Sequence, residues 1–178
     1  MVPLLRDPAG AAEIADAPDV AVCDDADALP ADLDPEVIVF AVKPQQMDAV
    51  APAYARFAGG DCVFLSIAAG KTIGYFEQQV GNQAAVIRAM PNTPAAIGQG
   101  ITVLCPNGNV SEAQAARCQQ LTQSVGEAVT VSYEGLIYAV TAVSGGGRAV
   151  MRRGSRRLQA ATTAAGSQGE STSTLALR

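Results

Sequence analysis

Glu36-Val37-Ile38-Val39-Phe40-Ala41-Val42 is a run of β-branched and aromatic side chains without the polar alternation of a half-exposed strand. Such a run predicts a strand over 36–42 buried on both faces, as in parallel sheets flanked by helices. Downstream the unit recurs at the spacing of strand-helix-strand crossovers. A helix is expected over 45–57, a second buried strand over 62–67, a helix over 73–80 and a third strand over 85–89. Right-handed crossovers place the carboxyl ends of parallel neighbours on one rim, so Lys43, Ala68 and Asn92 should share it. Upstream, 8–19 reads as an Ala-rich helix and 19–23 as a strand, and Asp24-Asp25-Ala26-Asp27 suits the cap of a short helix before Pro30.

Beyond the third strand come a loop over 94–100, a strand over 101–105 and a turn at Asn107-Gly108-Asn109. Ser111 is placed to cap a helix over 112–125, closed by Gly126 as the residue just past its end. A short strand over 129–132 and a further apolar helix over 133–143 complete the ordered part.

The 178 residues, 49% of them hydrophobic, suffice for one domain with a real core. With 4% aromatics and no Trp, that core must be built from Ala, Val, Ile and Leu. Residues 1–147 hold 6 Lys/Arg against 16 Asp/Glu, whereas 148–178 hold 6 Arg against one Glu. An acidic body argues against nucleic-acid binding, which needs a basic face. The 4 cysteines, Cys23, Cys62, Cys105 and Cys118, form no C-x-x-C pair and suit a reduced cytoplasmic setting. The apolar opening 1–5 is too short for a leader or a membrane span. The absence of His excludes Ser-His-Asp hydrolases and His-ligated metal sites, and no metal site is expected.

Open α/β sheets bind ligands beyond the carboxyl ends of their strands. Ala41-Val42-Lys43-Pro44 ends the first strand with a lysine entering that crevice; on its own it equally describes a surface Lys before a helix. Ser66-Ile67-Ala68-Ala69-Gly70 ends the next with small residues that let a ligand approach the backbone, although strand-to-helix turns commonly end in Gly. Met90-Pro91-Asn92-Thr93-Pro94 brackets an Asn-Thr pair between prolines, a rigid turn able to hold a planar ring or simply a stiff connection. Ala139-Val140-Thr141-Ala142-Val143-Ser144-Gly145 places a hydroxyl on an apolar helix.

These four blocks, in this order and spacing, resemble the pyrroline-5-carboxylate reductases over roughly residues 19–147. The resemblance implies hydride transfer from NADPH, or less often NADH, to the C=N carbon of 1-pyrroline-5-carboxylate, giving proline. It implies that Ala41, Val42, Lys43 and Pro44 border the adenosine and ribose side of the cofactor. Ile67, Ala68 and Ala69 would lie beside the nicotinamide ribose, with Pro91 and Asn92 near the nicotinamide. Thr141 matches a position close to the pyrroline pocket, and a hydroxyl bonded back to its own helix describes it equally well. The family usually has Asp where this chain has Tyr138. Family members form homo-oligomers through a long helical domain.

Two parts of the pattern are absent. No G-x-G-x-x-G occurs in residues 1–40, so the first strand and its phosphate-binding turn are missing, and 4–8 stands as the remnant of the second strand. After Gly147 the pattern is lost, and the basic stretch 148–178 reads as disordered or out of frame. The expected fold is therefore α/β, an incomplete Rossmann-like, doubly wound, mostly parallel sheet. It divides into a partial nucleotide-binding domain over 1–132, the start of a helical dimerisation and substrate domain over 133–147, and the tail. The expected activity is weak or nil. The competing readings are a non-catalytic remnant that binds nucleotide or a partner, and another NADP-dependent imine or β-hydroxyacid reductase. Either way no nucleic acid and no membrane are expected as partners.

Overall fold

The computed structural model describes Cys23, residues 26–92 and residues 100–138. Strand β1 (Val37–Phe40) leads through a 3-10 turn (Pro44–Gln46), helix α1 (Met47–Val50) and a 3-10 helix (Ala51–Phe57) to β2 (Val63–Ser66). Helix α2 (Ile73–Val80), β3 (Ala85–Pro91), β4 (Gly100–Pro106), α3 (Glu112–Gln123) and β5 (Gly126–Thr130) follow. A helical turn at 135–138 closes the described chain. The strands form a sheet of order β1-β2-β3-β4-β5, parallel throughout except between β3 and β4. Register runs Phe40 to Ser66 to Arg88 across the three parallel strands.

Alternation along the strands sends side chains into two layers. On one face Phe40, Phe64, Val86 and Phe76 meet Met47, Val50 and Tyr54. The Phe40 ring stacks on Phe64 at 5.7 Å and on Phe76 at 5.4 Å between centroids, geometry that adds about 0.5–1.5 kcal/mol per pair beyond simple burial. On the other face Val63, Leu65, Ala85, Ile87, Ala89 and Leu104 pack with Cys118 of α3. A third cluster of Val103, Cys105, Val131 and Ile137 seats the turn at 135–138.

Local chemistry sets the helix limits. Thr72 Oγ1 accepts the Tyr75 N–H at 3.1 Å and caps α2, which spans the expected residues. Ser111 and Gln114 form a reciprocal capping box at the start of α3, and Gln114 Nε2 also donates to the Asp61 carbonyl at 3.1 Å. Arg117 reaches Asp61 and Glu36, so α3 is tied to the amino ends of β1 and β2.

Several expectations are corrected. The helix over 45–57 is a short α segment between two 3-10 stretches, because Pro52 has no N–H to continue the ladder. The run at 36–42 is not buried on both faces: Val39 is 45% exposed, since α3 covers only the amino-end part of that face, at Glu36 and Val37. Strand β3 extends through Pro91, which pairs with Thr102, so Met90 and Pro91 belong to the ladder rather than to a turn. Gly126, with φ +144°, opens β5 instead of closing a helix, and α3 stops at Gln123. The expected helix at 8–19, Thr141 and the tail lie outside the described residues, as does all but Cys23 of the expected strand at 19–23. Among the described residues no helix is long and apolar enough to cross a membrane.

Candidate functional site

The parallel pairing of β1, β2 and β3 brings residues 41–44, 67–69 and 91–92 to the same rim of the sheet. The opposite rim is closed by polar contacts. Asn107 Nδ2 donates to Glu77 and to the Ala84 carbonyl, and Asn109 Nδ2 donates to the Asn82 carbonyl.

Each segment leaves its strand in a defined way. Lys43 is extended (φ −58°, ψ 140°), the conformation a following proline favours, and its side chain is exposed. Ala41 is exposed, Pro44 begins the 3-10 turn, and Val42 instead packs against the first core cluster. The Ser66 hydroxyl accepts the Ala68 N–H at 3.2 Å and stiffens the exit from β2. Ile67 is 37% exposed while the Ala68 side chain is buried, so Ala68 can meet a ligand through its backbone alone. Ala69 is exposed, and Gly70 turns the chain at φ +76° with nothing within 4 Å of where a Cβ would sit. Small residues and open backbone leave room for close approach to this turn. Pro91 cannot donate a hydrogen bond, and the ladder continues past it through Asn92: its N–H donates to the Ile101 carbonyl, and its Oδ1 accepts the Ile101 N–H at 2.9 Å. The Asn92 side-chain oxygen is thus committed to β4. Thr141 lies outside the described residues.

Two side-chain clusters near these segments were not singled out in the sequence. In the first, the Asp48 carboxylate of α1 accepts hydrogen bonds from the Tyr75 hydroxyl and from Lys71 Nζ, the latter at 3.2 Å. Lys71 Nζ also lies 3.9 Å from the Tyr75 ring centroid. The Tyr75 hydrogen bond first, and Lys71 second, hold the Asp48 carboxyl below its usual range. Lys71 follows Gly70 directly, so the cluster spans the exits of β1 and β2. Lys71 precedes the Thr72 cap, so helical spacing to Tyr75 gives no signal for the pair, and Asp48 lies 23 residues away.

In the second cluster, Arg88 of β3 is fully buried and donates to Glu134 Oε1 at 2.7 Å and to the Tyr138 hydroxyl at 3.0 Å. Its guanidinium carbon lies 4.8 Å from the Tyr138 ring centroid. The same Glu134 oxygen accepts the Ile73 N–H at 3.0 Å, which joins the first residue of α2 to the turn that follows β5. Burial weakens the Arg88 cation, and the bonds to Glu134 and Tyr138 more than restore it, so its proton is held more tightly than usual. A charge inside the apolar run Ala85-Val86-Ile87-Arg88-Ala89 is the sequence signal for a buried partner. Among the described residues no group of three or more His, Cys, Asp or Glu is placed to hold a metal ion.

No protein-family model matches the chain. The chain is 44% identical over 116 residues to a pyrroline-5-carboxylate reductase of Pseudomonas aeruginosa, covering 65% of this chain and 42% of that protein. It superposes on the structure of a pyrroline-5-carboxylate reductase from Coxiella burnetii with a TM-score of 0.76 at 27% identity, over 98% of this chain and 64% of that one. A Plasmodium falciparum pyrroline carboxylate reductase with NADP bound aligns at a TM-score of 0.56 and 28% identity, over 80% of this chain and 53% of that one. The chain spans 42% of the length of the first two curated relatives. These similarities bear out the resemblance and the α/β, Rossmann-like fold read from the sequence.

Proposed function

We propose, for a chain similar over 65% of its length to a pyrroline-5-carboxylate reductase, that its carboxyl rim is one side of a nicotinamide-nucleotide site. That site serves the reduction of 1-pyrroline-5-carboxylate to proline. The observation that carries the reading is the alignment of the exits of β1, β2 and β3 on one rim, with Ala41, Lys43 and Ala69 exposed and open space at Gly70.

The nucleotide, NADPH or less often NADH, supplies the hydride. In this reading Ala41, Val42, Lys43 and Pro44 border its adenosine and ribose side. Ile67, Ala68 and Ala69 flank the nicotinamide ribose, and Pro91 and Asn92 meet the ring. Thr141 is assigned to the substrate end. The imine nitrogen is readily protonated, so the chain's own contribution is orientation and exclusion of water rather than difficult proton chemistry. A site without histidine is compatible with that.

We place the division between nucleotide-binding and helical parts at 132/133 and the end of the related sequence near 147. The proposal includes a cytoplasmic setting and no nucleic-acid partner. Because residues 1–40 contain no G-x-G-x-x-G, the isolated chain is expected to bind nucleotide at roughly millimolar levels, with turnover weak or nil. The test is a titration of the folded chain with NADPH and NADH, followed at the backbone amides of 41–44, 67–69 and 91–92. Shifts concentrated at those amides support the reading; none at millimolar NADPH overturns it. Proline formation at rates near those of a full-length reductase would overturn the expected loss of activity.

A further inference from the structure

We infer that Asp48, Lys71 and Tyr75 form a clamp that fixes the turn after β2 against the segment after β1, and thereby sets how tightly the carboxyl rim holds a nicotinamide nucleotide. The second half of this inference rests on the reading of the rim as a nucleotide site; the first half does not.

Three observations carry it. Ile67 and Ala68 are held by the Phe40 carbonyl and the Ser66 hydroxyl, but beyond them Ala69 and Gly70 are exposed, the glycine at φ +76° with open space around it, so little packing restrains that half of the turn. Lys71, the next residue, is the point at which the turn is tied down. Its side chain is 20% exposed, its ammonium donates to Asp48 and it lies 3.9 Å from the Tyr75 ring centroid. Asp48 stands in the first turn of α1, a few residues beyond Lys43, and Tyr75 stands in the first turn of α2. One carboxylate oxygen therefore links both segments that border the proposed site, by two hydrogen bonds that share an acceptor. These are positioning residues: they act through the backbone of 67–71 and are not assigned contact with the nucleotide.

Individually such exposed contacts contribute little to folding, and this separates a clamp from a stabilising bridge. The test uses the full 178-residue chain and the variants Lys71→Met, Tyr75→Phe and Lys71→Arg, the last retaining charge and reach. Melting temperatures are expected to stay within about 2 °C of the parent, as for surface substitutions. In Lys71→Met and Tyr75→Phe, amide order parameters at 69–71 should fall from about 0.85, typical of rigid backbone, toward about 0.6. NADPH affinity should weaken about three- to tenfold, and Lys71→Arg should restore both.

Order parameters unchanged in both variants would overturn the clamp. Loosened amides with NADPH affinity unaltered would overturn its role in nucleotide binding. If the parent chain binds no NADPH while the variants still loosen 69–71, the nucleotide reading falls and the clamp stands.

Discussion

Arg88-Glu134-Tyr138 and Lys71-Asp48-Tyr75 are built from the same three parts: a cation, a carboxylate that accepts from it and a tyrosine whose ring and hydroxyl complete the group. They differ in where water stands. Arg88 has no exposed surface and Glu134 is 25% exposed, whereas the Asp48 side chain is 69% exposed. Removing one partner of the buried group strands a charge in the core, which is costly. Removing one partner of the surface group hands its charge to solvent, and what is lost is the position of a turn. The same three kinds of side chain, with the hydroxyl accepting from Arg88 in one group and donating to Asp48 in the other, thus hold the fold together in one place and tune a rim in the other.

The sharpest way to break this comparison is Glu134→Ala, which leaves the Arg88 guanidinium buried with the Tyr138 hydroxyl and should lower unfolding free energy by about 3–5 kcal/mol. Urea denaturation with an unchanged slope measures it. Arg88→Met should cost less, about 2 kcal/mol, because Glu134 keeps partial solvent access and the Ile73 N–H. The double variant should cost less than the sum of the two, as expected for groups in direct contact.

The buried thiols extend the contrast to alkaline pH. Burial pushes Cys62, Cys105 and Cys118 from 9.0 up to about 11. The folded state then holds these protons more tightly than the unfolded chain does. Stability is full below pH 9 and declines as pH climbs toward 11, by about 2 kcal/mol for each thiol. Denaturation midpoints across that window, with iodoacetamide labelling of the native chain falling first on the half-buried Cys23, check it. The smallest effect is at Asp48. Its carboxyl titrates below the usual range, so its contribution is present above ordinary carboxylate pKa values and fades as pH falls through the lowered one. Tyr75→Phe should raise that titration point in a carbon-detected NMR pH series while leaving the urea midpoint unmoved.

The rim was legible in the sequence because topology rules act on short segments. Apolar runs at 36–42 and 62–67 and the helix expected over 73–80 each report within a few residues. The clusters were not, because their members meet across the fold: Arg88 and Glu134 are 46 residues apart, and Asp48 and Lys71 are 23. Val39 was misread for a related reason. A β-branched run reports that a strand prefers cover, and whether a neighbour supplies it is a property of the rest of the sheet. Asn92 shows the same limit, since its bond to Ile101 depends on β4 returning antiparallel, which nothing within Met90-Pro91-Asn92-Thr93-Pro94 specifies.

The strand order β1-β2-β3-β4-β5 repeats the order of the chain. Each of these five described strands adds to the growing edge, and none of the five must insert between two already paired. As polypeptide emerges from the ribosome, every new strand therefore finds its docking edge already synthesised, and assembly of this half of the sheet can keep pace with translation rather than wait for the last residue.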